Sequence, residues 1–221
     1  MKLSFDKFII GQSPSNLNYG KLCITNDSRY SSLMPWHVQT VTKILDEELY
    51  NENINSIVDT CANIGVDTIL FRLMYPYADI TAIELNKNTF NALKENMDNI
   101  SQITSKYRKN IQILNMDCLD YIYTRSCDLI YFDPPWPENY KNGKINLTLS
   151  GQYLGDIINQ VVNNSIVIAK LPFNFDQDSF EYQINKNEDH EYVKATINYH
   201  TIYTNGKNPK ISYILAFIRK L

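Results

Sequence analysis

Four cysteines are present (Cys23, Cys61, Cys118, Cys127), yet no two stand in a C-x-x-C pair. Their spacing matches neither a zinc site nor a disulfide frame, so reduced thiols and no metal are expected. No apolar run is long enough to cross a membrane, and no repeat or linker is visible. The opening Met1-Lys2-Leu3-Ser4-Phe5-Asp6-Lys7 has charges where a secretory signal needs an apolar core. The expectation is a non-secreted, cytoplasmic or nuclear protein, with protein partners left open. Neither sign of charge is in large excess. A net charge of −3 excludes coating long nucleic acid by charge alone, so such a substrate must be small or held by a local patch. The 221 residues suffice for one domain with a sizeable core.

What the chain does carry is alternating β and α signals. Residues 1–30 are polar and broken by Gly11, Pro14 and Gly20, and read as an N-terminal arm with a short strand at Lys21–Thr25. Either it is plain irregular chain or it is a lid. Residues 31–221 read as a single domain. Ser31-Ser32 ahead of Pro35 predicts a capped helix start, and Val38, Val41, Ile44 and Leu45 its apolar face. Ser56–Asp59 is a short strand, Thr60–Gly65 a loop of small residues, and Asp67–Leu73 the start of a helix. Such a unit offers backbone N–H groups to a ligand. Asn63 in that loop tolerates a left-handed backbone.

The second strand, Ile80–Glu84, ends on an acid 25 residues after Asp59. In a nucleoside-binding α/β unit that acid accepts hydrogen bonds from ribose hydroxyls. The competing reading is a plain βαβ unit with Glu84 in solvent. Asn88–Asn99 predicts a helix, and Arg108-Lys109-Asn110 a solvated polar stretch. A third strand runs from Ile111 toward Asp117 and Cys118. Asp117 either meets an adenine amino group or caps the turn at Cys118–Tyr123.

The chemistry concentrates at Asp133-Pro134-Pro135-Trp136, reached through Leu129-Ile130-Tyr131-Phe132. A buried parallel strand ends abruptly there, because proline has a fixed φ and no N–H to donate. The Asp133 carboxylate and the Pro134 carbonyl are two adjacent acceptors, matching the two hydrogens of an exocyclic nucleobase amine. Trp136 follows as a flat face for stacking a base, unless it is simply a core residue. Pro137–Gly151 reads as a mobile loop. Helical spacing follows at Tyr153–Val161, then a fifth strand at Ser165–Ala169 and two long β-prone runs around Asn205-Gly206.

Taken in order, these motifs resemble a class I S-adenosylmethionine (SAM) methyltransferase acting on exocyclic amines. More narrowly, Val58–Phe71 resembles the "VDAFCGVGGNTIQFA" stretch of trimethylguanosine synthases. Tyr131–Trp136 resembles their "SPPW", Leu171-Pro172-Phe173-Asn174 their "LPRN", and Leu33-Met34-Pro35 their "SVTPE". The resemblance implies an α/β, Rossmann-like, seven-stranded sheet with helices on both faces and a C-terminal antiparallel β-hairpin. It implies SAM as cofactor, met by Asp59, Thr60, Cys61, Asn63, Gly65, Thr68, Glu84, Asp117, Cys118 and Asp133. It also implies catalysis at Asp133, Pro134 and Trp136, on guanine N2 of an RNA 7-methylguanosine cap. Asn63 and Val66 replace loop glycines of that family, and Asp133 replaces its serine. Asp-Pro-Pro-Trp is commoner in N6-adenine methyltransferases, which keeps adenine in DNA or RNA as the rival acceptor. A non-catalytic Rossmann-like nucleic-acid-binding subunit is the rival of another class. Pro137-Glu138-Asn139-Tyr140 keeps a tyrosine near that of the cap family's "GGPDY", and Lys141, Lys144 and Lys170 are candidates for cap phosphates.

Overall fold

In this computed structural model the described residues are Cys23, Thr25, 35–101, 111–138, 140, 143–186 and 194–220. Apart from Cys23 and Thr25, the expected arm at 1–30 lies outside them. So do the cap at Ser31-Ser32, Leu33 and Met34 of the family match, the stretch Arg108–Asn110, Asn139 and Lys141.

The chain forms two compact units, Met1–Met116 and Asp117–Leu221. In the first, α1 (Pro35–Glu48) buries the expected face of Val38, Val41, Ile44 and Leu45. β1 (Ser56–Asp59), α2 (Val66–Met74), β2 (Asp79–Ile83), α3 (Lys87–Ser101) and β3 (Ile111–Leu114) follow. β1 and β3 both pair with β2 in parallel, Val58 opposite Thr81 and Ile80 opposite Ile111. Parallel strands covered on both faces need apolar residues at successive positions. Ile57, Val58, Ile80, Ala82 and Ile83 meet that need.

Helix α2 ends on a buried charge. Arg72 is 2% exposed, and its Nη1 donates to the carbonyls of Tyr75 (3.3 Å), Pro76 (3.0 Å) and Ala78 (2.9 Å). A buried guanidinium requires acceptors, and the turn into β2 wraps its carbonyls around this one. Burial pushes its pKa down, with Asp79 opposing.

The second unit contains α4 (Cys118–Ile122), β4 (Leu129–Phe132), β5 (Thr148–Leu149), β6 (Gln152–Tyr153), α5 (Leu154–Val161), β7 (Ile166–Leu171), α6 (Gln177–Asn185), β8 (Ala195–Tyr203) and β9 (Ile211–Lys220). β4 pairs with β7 in parallel, whereas β9 runs antiparallel to both β7 and β8. The sheet has seven strands in the order β3-β2-β1-β4-β7-β9-β8. That is the expected sheet with its terminal hairpin.

Three local expectations change. The third strand stops at Leu114, so Asp117 and Cys118 open helix α4 instead of ending a strand. Residues 137–151 are not featureless: β5 and β6 form a hairpin through Ser150 (φ 50°) and Gly151 (φ 81°). Two successive positive φ values suit a tight primed turn. Helix α6 was not signalled, because it buries only Phe180, Gln183 and Ile184, too narrow a stripe to show as periodicity.

Candidate active site

In the first unit a cradle is built where β1 runs into α2. Asp59 is fully buried, and its Oδ2 accepts from the Thr68 hydroxyl at 2.5 Å, tying the strand's end to the helix's first turns. Thr60 is buried and Cys61 half-buried. Asn63 takes the left-handed backbone expected of it (φ 50°). Gly65 follows at φ 92°, and the helix starts there without a side-chain cap. A Cβ on Gly65 would stand 2.4 Å from Met97 Cε and 2.7 Å from Leu93 Cδ1, so α3 occupies the missing side chain's space. The fully buried Asn96 on α3 fastens the loop, donating to the Ile64 carbonyl at 2.9 Å.

Glu84 completes this cradle. Its Oε2 accepts from the Asn63 N–H at 3.0 Å and its Oε1 from the Asn86 N–H at 2.8 Å. Asn115 holds the backbone below it, donating to the carbonyls of Glu84 and Leu85. Burial raises the Glu84 pKa, opposed by backbone N–H groups of Asn86, Asn63 and Leu85. Glu84 is therefore a half-buried carboxylate joined to the loop, not a solvated strand end.

The second unit carries the acceptor tetrad. All four β4 residues are buried, then Asp133 is half-buried, Pro134 buried, Pro135 exposed and Trp136 half-buried. Phe132 stands opposite Ala169 in the parallel register, so the next residues on each strand are Asp133 and Lys170. They meet: Lys170 Nζ donates to Asp133 Oδ2 at 2.6 Å, with side chains 6% and 13% exposed. The same ammonium lies 5.1 Å from the centre of the Tyr213 ring. Lys170 is thus not a surface lysine for cap phosphates. Lys144 is exposed and bridges Asp176 and Asp178, each at 3.4 Å.

The Trp136 ring packs against Tyr140 at 5.2 Å and 60°, and its buried Nε1–H has no hydrogen-bond partner. Asn174 steadies this loop. Its Nδ2 donates to the Tyr140 carbonyl at 2.6 Å and to the Gly143 carbonyl, leaving a buried Oδ1 without a partner. Two carbonyl neighbours require the amide nitrogen on that side, which fixes the orientation of the group. Backbone bonds from Ile145 to the Asn174 carbonyl (3.1 Å) and from Asp176 to the Ile145 carbonyl (2.8 Å) zip the two loops together.

Asp117 does what its capping alternative requires. Oδ1 accepts from the Leu119 N–H at 2.9 Å, and Oδ2 accepts from the Ser150 hydroxyl at 2.5 Å. Cys118 is buried in the first turn of α4. Among the described residues no cluster of three His, Cys, Asp or Glu could hold a metal.

No known family profile and no curated protein matches the sequence. Solved structures do. One from Pyrococcus horikoshii, provisionally described as an RNA methyltransferase, superposes with a TM-score of 0.53 at 14% identity, over 85% of this chain and 84% of its own. A SAM-dependent methyltransferase from Agrobacterium tumefaciens gives 0.53 at 11% identity, over 84% of this chain and 62% of its own. Precorrin-6y C5,15-methyltransferase from Geobacter metallireducens gives 0.50 at 14%, over 83% and 88%. The chain has a methyltransferase fold.

Within that methyltransferase fold, the residues brought together are Asp59 with Thr68, Asn63 with Glu84, and Asp133 with a lysine assigned elsewhere by sequence. Sequence reasoning missed Asn96 and the clamp made by Asn174. A polar residue beside Leu93 and Met97 on an otherwise apolar helix face was the available signal for Asn96.

Proposed function

We propose that the protein is a SAM-dependent methyltransferase acting on an exocyclic amine of a nucleobase, with guanine N2 of an RNA 7-methylguanosine cap as the first candidate. The reading is carried by one observation. β4 ends on the Asp133 carboxylate, a proline without an N–H, and a half-buried indole with an unpartnered N–H. The methyltransferase fold and the described RNA methyltransferase among similar structures support it.

The cradle suits the cofactor. Glu84 is held by the loop at the end of β2, where a carboxylate can accept from ribose hydroxyls. Gly65, at the start of α2, has no side chain with which to cap the first turn of the helix. When bound, SAM supplies an electrophilic methyl on a sulfonium. Asp133 and the Pro134 carbonyl orient the amine hydrogens, favouring a nitrogen that becomes tetrahedral. Trp136 stacks on the base, and a cationic 7-methylguanine adds a cation–π attraction of about 0.5–2 kcal/mol.

Adenine N6 is the second reading, favoured by a carboxylate at 133 where cap enzymes carry serine. Labelled SAM offered with 7-methylguanosine diphosphate, guanosine diphosphate, adenine-containing DNA and rRNA fragments separates them. Methyl on 7-methylguanosine diphosphate supports the cap; methyl on adenine alone ends it. Calorimetry that finds no SAM binding would leave a non-catalytic subunit.

A further inference from the structure

The Lys170–Asp133 pair has no counterpart in the trimethylguanosine synthase resemblance, since a serine at 133 has no charge to balance. Both side chains are nearly buried and 2.6 Å apart. Buried ion pairs seldom outperform apolar residues in stability, so this pair needs another reason. Its placement supplies one. The two residues are successive to Phe132 and Ala169 across parallel strands, so the lysine grips the carboxylate at the strand end where the acceptor is oriented. The Tyr213 ring lies against the ammonium from β9.

We propose that Lys170 is a positioning residue for the methyl acceptor: it holds Asp133 by Oδ2 and cancels its charge, making an aspartate here the electrostatic equivalent of a neutral serine. The inference rests on the nucleobase-amine reading above. With its charge cancelled, the carboxylate gives no Coulomb preference to a cationic base, and selection falls to Trp136. Removing only the lysine charge exposes that preference, and the carboxylate loses its fixed orientation.

The test is a double-mutant cycle on the full chain with Lys170→Met, Asp133→Ser and both together, plus Lys170→Arg. SAM affinity, kcat, KM and thermal unfolding are measured for each. Lys170→Met is expected to lower kcat roughly 10–100-fold, the scale of a misplaced orienting group, a larger change than any in SAM affinity, with Lys170→Arg restoring part. It should also raise the preference for 7-methylguanosine diphosphate over guanosine diphosphate at least about threefold, as an uncancelled carboxylate attracts the cation. In the Asp133→Ser background the same substitution should change kcat less than about twofold and raise the unfolding temperature. An equal kcat loss in both backgrounds, or equal loss on both nucleotides, overturns the proposal. If the wild type binds SAM but methylates no nucleobase, the nucleobase reading alone fails. The cycle is then read from binding of the two nucleotides and from unfolding, where additivity of the two substitutions overturns the pairing role.

Discussion

Asp133 and Glu84 are both acids at strand ends, yet their surroundings differ: a lysine ammonium meets the first and backbone N–H groups meet the second. Glu84 is desolvated and braced by backbone N–H groups, with its pKa above the ordinary carboxylate value of about 4.3. If it accepts from the SAM ribose, affinity should weaken as the pH falls toward that raised value, and Glu84→Gln should flatten the dependence. Calorimetry from pH 8 down to 5 reads this directly. The linkage to folding has the opposite sense. A raised acid pKa makes ionised Glu84 oppose the fold, so its contribution favours folding at low pH and is lost as pH rises through the folded value. Glu84→Ala should weaken SAM by about 1–3 kcal/mol, the scale of leaving polar partners unpaired. Trp136→Ala should remove about 1–3 kcal/mol of affinity for 7-methylguanosine diphosphate. If the indole is instead a packing residue, the mutant loses thermal stability and binds neither methylated nor unmethylated nucleotide.

At the scale of elements, the loop between β1 and α2 is held from outside itself by α3, through Leu93, Met97 and Asn96. Gly65→Ala is therefore expected to lower stability by at least about 1–3 kcal/mol from backbone strain alone, with SAM binding falling in parallel. Chemical denaturation and calorimetry on one preparation check both. The strands and the order of motifs were legible because apolar runs ending in Asp59, Glu84 and Asp133 leave strong local marks. The clamp of Asn174 on Tyr140 and Gly143 was not, since 34 and 31 residues separate the partners and no periodicity spans them. Lys170 was misread for a related reason. A lysine at the end of an apolar run looks like a surface charge until the register sets it beside Asp133. Asp117 left two readings open in sequence, and its bonds to Leu119 and Ser150 show the capping one in place.

For the whole molecule, a net charge of −3 leaves little general attraction for polyanions. Free cap dinucleotide and a capped oligonucleotide should then bind within about tenfold of each other at physiological salt, with a shallow salt slope. A steep slope would place a basic track along the RNA and favour the polynucleotide reading. The buried pair at 133 and 170 also constrains how such a chain arises. An aspartate gained before the lysine buries an anion without this cation, and a lysine gained first buries a cation without this anion. Either intermediate is expected to be less stable than the pair, the more so the less another group compensates the remaining charge. A chain that acquires one of the two residues without the other therefore passes through a weakened form, unless both positions change together or another group takes the missing partner's place.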